Sequence, residues 1–147
     1  MPELDYAVLG DYVRAEQGVA HVMAAGIDTI YAPSVPTGQN LGLAARFTFT
    51  RNECGRPHRI EIPFQGEDGD RLALLSVVVT PEWSPDLPIH WSKGGLVALN
   101  FAVPLPRYGL YSFEILVNDQ SHKTMPLRVL RPEAAEPQPE LPEQAEG

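Results

Sequence analysis

The segment Thr50-Arg51-Asn52-Glu53-Cys54-Gly55-Arg56-Pro57-His58-Arg59 holds the only cysteine of the chain, four positions before one of its four histidines and among three arginines. A thiol beside a base can be a nucleophile, and nearby cations lower a thiol pKa. Cys54 and His58 could also be half of a zinc site, and Arg51, Arg56 and Arg59 could hold an anion. Each chemistry asks for more than the segment supplies. A structural zinc takes four ligands, usually as two pairs, and no second cysteine exists to start the other pair. A catalytic thiol needs an oxyanion arrangement, and no motif here provides one. A turn is the simpler account, with Gly55 giving a permissive backbone and Pro57 ending the turn before the next strand. On that account the segment is the crossing of one hairpin, with the three arginines as a small basic spot on an acidic chain.

The rest of the chain offers little further chemistry. His21, His90 and His122 share no metal-ligand spacing, and there is no Gly-x-Ser-x-Gly, His-Glu-x-x-His, P-loop or dinucleotide glycine pattern. Gly66-Glu67-Asp68-Gly69-Asp70 clusters carboxylates, yet it is too short for an EF-hand loop and lacks the closing glutamate. Asp86 is the only other loop aspartate that could join it, so a plain hairpin turn is expected. In Gly26-Ile27-Asp28, Gly26 is expected to make a bulge and Asp28 to bond a nearby turn. No catalytic residue, cofactor or metal is expected, and the chain reads as non-enzymatic.

One stretch is shaped for recognition. Pro81 to Gly95 is a long loop that carries both tryptophans, Trp83 and Trp91, together with Leu87, Ile89, Pro85, Pro88 and the closing Gly94-Gly95. Tryptophan is enriched at interface hot spots, and proline pre-orders a loop. Trp83, Leu87, Ile89 and Trp91 are therefore the candidate partner-binding residues. The competing account is that the tryptophans plug an open end of the fold.

The elements that must position these residues are strands. Phe47 and Phe49 alternate with Arg46, Thr48 and Thr50; Ile60, Ile62 and Phe64 alternate with Arg59, Glu61 and Pro63. Val97, Leu99, Phe101 and Val103, and then Tyr111, Phe113, Ile115 and Val117, repeat the pattern. Such period-2 alternation marks strands with one face on a core. The pattern predicts about eight strands, near 4–14, 19–31, 41–51, 58–65, 71–80, 95–103, 109–117 and 123–130, with a register shift between Leu74 and Leu75 that suggests a bulge or a strand covered on both faces. Glu16-Gln17-Gly18, Gly66–Asp70 and Asn118-Asp119-Gln120 are the expected turns. Eight short strands without crossover helices argue for an all-β antiparallel sandwich.

Length and composition set the limits. The 147 residues suit one domain, and 44% hydrophobic content is ordinary for a globular protein. A single cysteine excludes a disulfide framework and fits a reducing compartment. The start, MPELDYAVLGDYV, has no basic region and carries Glu3, Asp5 and Asp11, against a signal peptide. No apolar run is long enough to span a membrane. A cytoplasmic location is the expectation. Five glutamates and no lysine or arginine lie in 132–147; without them the net charge of −8 falls to −3. That leaves no basic footprint for nucleic acid. With four prolines and a single large aliphatic residue, Leu141, 132–147 is expected to be a disordered acidic tail after a 1–131 domain.

LNFAVPLPRYGLYSFEILV, residues 99–117, resembles the corner of an immunoglobulin domain, where Gly-x-Tyr-x-Cys opens a strand. The resemblance implies that Tyr111 bonds back to the backbone and that Phe113 stands in place of the disulfide cysteine. The chain departs from the pattern in having no tryptophan in the expected earlier strand. DYAVLGDYVR, AAGIDTIYAPSVP, PLPRYGLYSFEILVND and PLRV further resemble a family of small bacterial proteins known only as a domain of unknown function. The shared features are Gly26, Asp28 and Ile30, and the Pro-x-x-Gly-x-Tyr-x-Phe corner. This second resemblance covers most of 4–131 and implies a fold but no activity. The expected function is a cytoplasmic protein–protein interaction module of unknown partner. The alternative is a small-molecule or carbohydrate-binding sandwich that uses the Trp83/Trp91 loop.

Overall fold

The computed structural model describes residues 1–135. Ten strands follow one another: β1 Glu3–Gly10, β2 Tyr12–Glu16, β3 Val19–Met23, β4 Thr29–Tyr31, β5 Thr37–Phe49, β6 His58–Gly66, β7 Arg71–Val79, β8 Lys93–Leu105, β9 Gly109–Val117 and β10 Gln120–Leu130. One sheet has the order β1-β5-β8, a second β4-β10-β9-β6-β7, and β2 pairs with β3 alone. The two large sheets face each other across a core that includes Phe47, Phe49, Ile62, Phe64, Phe113 and Leu127. Most of the expected tail falls on 136–147, outside the described residues, and Pro132–Ala134 form one 3-10 turn.

The strand order is that of an immunoglobulin sandwich. β1, β5 and β8 stand at its A, B and E positions, and β6, β7, β9 and β10 at C, C′, F and G. The corner is present. The Tyr111 hydroxyl donates to the Arg107 carbonyl at 2.5 Å and accepts from the Arg107 N–H at 3.2 Å. Phe113 packs on Phe64 and Phe101, with ring centroids 4.6 and 5.7 Å apart. An aromatic cluster thus fills the place of the disulfide and tryptophan that hold such domains together in oxidising surroundings.

Four expectations need correction. The described residues form ten strands, because neither 4–14 nor 19–31 runs continuously. At Gly10 the chain leaves the sheet, and a side chain there would lie 2.6 Å from the Met23 carbonyl oxygen. It returns through a turn in which the Gly26 and Ile27 N–H groups both donate to the Leu9 carbonyl. Gly26, at φ +90°, belongs to that turn and not to a bulge. The sandwich is not wholly antiparallel, since β4 runs parallel to β10. In β7 the irregularity lies at Leu72, which is skipped between the Phe64–Ala73 and Gln65–Arg71 pairs, and not between Leu74 and Leu75. The turns are as expected: Gln17 and Gly18, and then Asn118 and Asp119, adopt the paired positive φ values of tight hairpins.

The detached segments make a β2–β3 hairpin that lies on the outer face of the first sheet. Its anchor is Val13, which is buried although outside the main core. The Val13 N–H donates to Asn100 Oδ1 at 2.9 Å, and its carbonyl accepts from Asn100 Nδ2 at 2.8 Å. One side-chain amide therefore satisfies a strand's backbone as a neighbouring strand would. Gly42 allows the approach: a Cβ there would sit 2.7 Å from the Val13 nitrogen and 2.8 Å from the Tyr12 carbonyl carbon. These neighbours are backbone and cannot swing aside. Gly42→Ala is expected to cost about 1–3 kcal/mol through overpacking, read as a lower urea midpoint, with Gly38→Ala, which meets only one atom at 3.9 Å, as the mild control.

Candidate interaction site

The loop from Thr80 to Ser92 is built from two consecutive turns. The Leu87 N–H donates to the Ser84 carbonyl at 3.0 Å and the Trp91 N–H to the Pro88 carbonyl at 2.9 Å. Ser84-Pro85-Asp86-Leu87 places serine and proline where β-turns favour them, at the first and second positions. The loop is tied at both ends. The Gly55 N–H donates to the Pro81 carbonyl at 2.7 Å, and Lys93 Nζ donates to Ser84 Oγ at 2.8 Å.

This loop forms one wall of a shallow cleft of about 390 Å³ on the outer face of the first sheet. Leu87, Trp91 and Leu96 supply its apolar surface, Arg46 and Lys93 lie on the floor, and Gly18 at the tip of the β2–β3 hairpin closes the far side. Arg46 is engaged with Asp5 at 2.6 Å. Its guanidinium occupies the space a side chain at Gly94 would need. Of the four candidate residues, Leu87 and Trp91 border the cleft. Trp91 is 56% exposed and Ile89 70% exposed, while Trp83 and Leu87 are half-buried. The two tryptophans therefore have different environments, and only Trp91 presents a broad free face.

The Cys54–His58 segment is not a hairpin turn. β5 lies in one sheet and β6 in the other, so the segment crosses the end of the sandwich. A 3-10 turn at Arg51–Glu53 makes the crossing, and Glu53 Oε1 accepts from both the N–H and the hydroxyl of Thr50. His58 is buried. Its Nε2 lies 2.7 Å from the Glu53 carbonyl and its Nδ1 3.0 Å from Asn118 Nδ2. Asn118 Oδ1 accepts from the Arg59 N–H, which orients the amide so that Nδ2 donates to the ring. That leaves the His58 proton on Nε2, given to the Glu53 carbonyl. Both ring nitrogens are consumed in joining the crossing to the β9–β10 turn. Arg59 pairs with Glu61 and Asp119, so the three arginines do not form a shared free spot.

Burial pushes the Cys54 thiol above its usual pKa, and the Glu53 charge adds to the shift against a smaller opposing effect of Lys93. The thiol therefore stays protonated at neutral pH, the unreactive form. In the Gly66–Asp70 turn, Asp68 Oδ1 accepts from Arg107 at 2.8 Å. Among the described residues no group of three His, Cys, Asp or Glu side chains converges to hold a metal. Asp28 accepts from its neighbour Thr29, whose hydroxyl in turn accepts from Arg128. No helix among the described residues is long and apolar enough to cross a membrane.

A model for a family of unknown function, DUF6941, matches residues 5–130. The chain belongs to that family. No curated protein matches it. Among solved structures the DUF6941 chain is similar to an immunoglobulin-like protein from Pseudomonas aeruginosa, with 14% identity over 88% of this chain and 96% of that one, and a TM-score of 0.41. The sandwich assignment itself rests on the strand order and the tyrosine corner.

The Gln17–Gly18 turn was expected from the sequence, but not that its hairpin leaves the first sheet and lies on its outer face. The one trace of it in the sequence is distant from the hairpin: an isolated Asn100 on the outer face between Ala98 and Ala102. For Cys54, labelling by a disulfide reagent at pH 7 in native buffer is expected to run slower than in denaturant; equal or faster native labelling would show an activated thiol.

Proposed function

We propose that the protein is a non-enzymatic, cytoplasmic protein–protein interaction module that engages its partner through the Thr80–Ser92 loop. The observation that carries this is the pairing of a pre-ordered loop with exposed apolar anchors, Trp91 and Ile89, beside an open cleft. An ordered loop loses little entropy on binding, and a half-exposed tryptophan is the type of side chain that dominates interface energetics. The groups that first suggested catalysis have structural work instead: His58 is bonded at both nitrogens, and Cys54 is held as a thiol.

A small-molecule or carbohydrate site on the same loop fits less well. Such sites usually enclose most of the ligand and aim free polar groups at it. Here the cleft is shallow, Arg46 is taken by Asp5, and Lys93 is taken by Ser84. Trp83 does not border the cleft, so no two-tryptophan platform forms.

Affinity capture with the full chain from its native host tests the proposal. Trp91→Ala and Ile89→Asp are each expected to lose the partner recovered by the unaltered protein, with an unchanged circular dichroism spectrum and urea midpoint. Retention of the same partner at full yield by both variants would contradict the proposal. Saturable binding of a sugar or other small molecule that depends on Trp91 would favour the alternative.

A further inference from the structure

We propose that two copies of this chain pair edge to edge through β7, in antiparallel register about Ser76. The two large sheets have four edge strands: β1 and β8 in one, β4 and β7 in the other. An open edge offers unpaired N–H and C=O groups to any strand that approaches, and proteins usually blunt it with charge, proline, bulges or brevity. Three of the four edges carry such a device. β1 has a register break between Leu4 and Tyr6, with the charged Asp5 at it. β4 is only three residues long. β8 begins at Lys93, contains Pro104, and gives the Asn100 side chain to the β2–β3 hairpin.

β7 has none of these along most of its length. Its irregularity and its one charge, at Leu72 and Arg71, are confined to one end. From Ala73 to Val79 the strand is Ala-Leu-Leu-Ser-Val-Val-Val, regular against β6 and free of charge and proline. Ala73, Leu75, Val77 and Val79 pack on the core. The other face carries Leu74 and Val78, which are 43% and 60% exposed although large and apolar.

The partner that fits this edge is the edge itself. A two-fold axis at Ser76 sets Leu74 opposite Val78 of the second copy, Val78 opposite Leu74, and the two Ser76 residues opposite each other. Leu75 faces Val77 on the core side in the same way. Each exposed apolar side chain gains a cross-strand apolar neighbour, the contact that stabilises strand pairs. No like charges meet, because 72–79 holds none. The flanking charges are Arg71 at the end of β7, which this register sets opposite the uncharged Pro81, and Arg59 and Glu61 on β6, beside Val78 and Ser76. The two β6 strands would lie three strand spacings apart, about 14 Å, beyond the screening length of about 8–10 Å at ordinary salt. The contact is isologous, so it closes at two copies and joins two five-stranded sheets into one.

Sedimentation of the full chain over a wide concentration range, with register-specific variants, tests this. The unaltered protein is expected to pass from monomer to dimer. Leu74→Glu and Val78→Lys, both at exposed positions, are each expected to raise the dissociation constant about tenfold or more, equal to about 1.4 kcal/mol. The double variant L74E/V78K places each glutamate opposite a lysine of the second copy and is expected to recover dimer. A protein that stays monomeric throughout overturns the proposal, as does a dimer insensitive to both single variants or a double variant that fails to recover. Circular dichroism of each variant separates these results from misfolding. The proposal does not rest on the Thr80–Ser92 loop: Trp91→Ala is expected to leave the dimer intact.

Discussion

A strand that hides side chains on both faces needs two covers, and β5 has them. Leu41, Leu43, Ala45, Phe47 and Phe49 point into the sandwich, and Gly42 and Ala44 lie beneath the β2–β3 hairpin. β1 and β8 pair along its two edges, so the first sheet is assembled on β5. The hairpin can approach only because position 42 lacks a side chain, and it stays because Asn100 replaces a missing strand. The cleft follows from this arrangement. Its floor is the outer face of β5 and β8 where the hairpin stops, and its walls are the hairpin tip and the Thr80–Ser92 loop.

Much of the sandwich was legible in the sequence, because alternation reports one-sided burial directly. β6, β8 and β9 fall close to the expected spans. The corner was legible because the conformation it needs ties Gly109 to Tyr111 at a fixed spacing. Alternation does not report where a strand leaves its sheet, as the merged N-terminal strands show. Tyr12–Glu16 continues the alternation of β1, and nothing local says that Gly10 lets the chain lift out of its sheet; that depends on Gly42 and Asn100, distant in sequence. The crossing at Cys54 failed for a related reason. A short, polar, glycine-containing segment between two strands looks the same whether it returns along one sheet or passes to the other, and the choice is made by the packing of Phe49 and Ile60.

The candidate site was legible only in part. The composition of the long loop singled out Trp83, Leu87, Ile89 and Trp91, but the two turns decide which of them face outward. The arginines, cysteine and histidine drew attention because those residue types often do chemistry. His58 is bonded to a backbone carbonyl and an asparagine amide, and Arg59 to nearby carboxylates, which is how polar groups behave when they hold a crossing in place. The exposed edge of β7 shows the opposite case, an apolar run that reads as core in the sequence but carries two large side chains on the solvent face.

The most direct test of this account is amide hydrogen exchange at Val13 in the native full chain. If the hairpin is an integral cover of β5, the Val13 N–H held by Asn100 should be protected to nearly the same degree as the amides of β5, and Asn100→Ala should abolish that protection while leaving β9 slow. Rapid exchange at Val13 in the unaltered protein, with β5 protected, would contradict the account and make the hairpin a loosely attached flap.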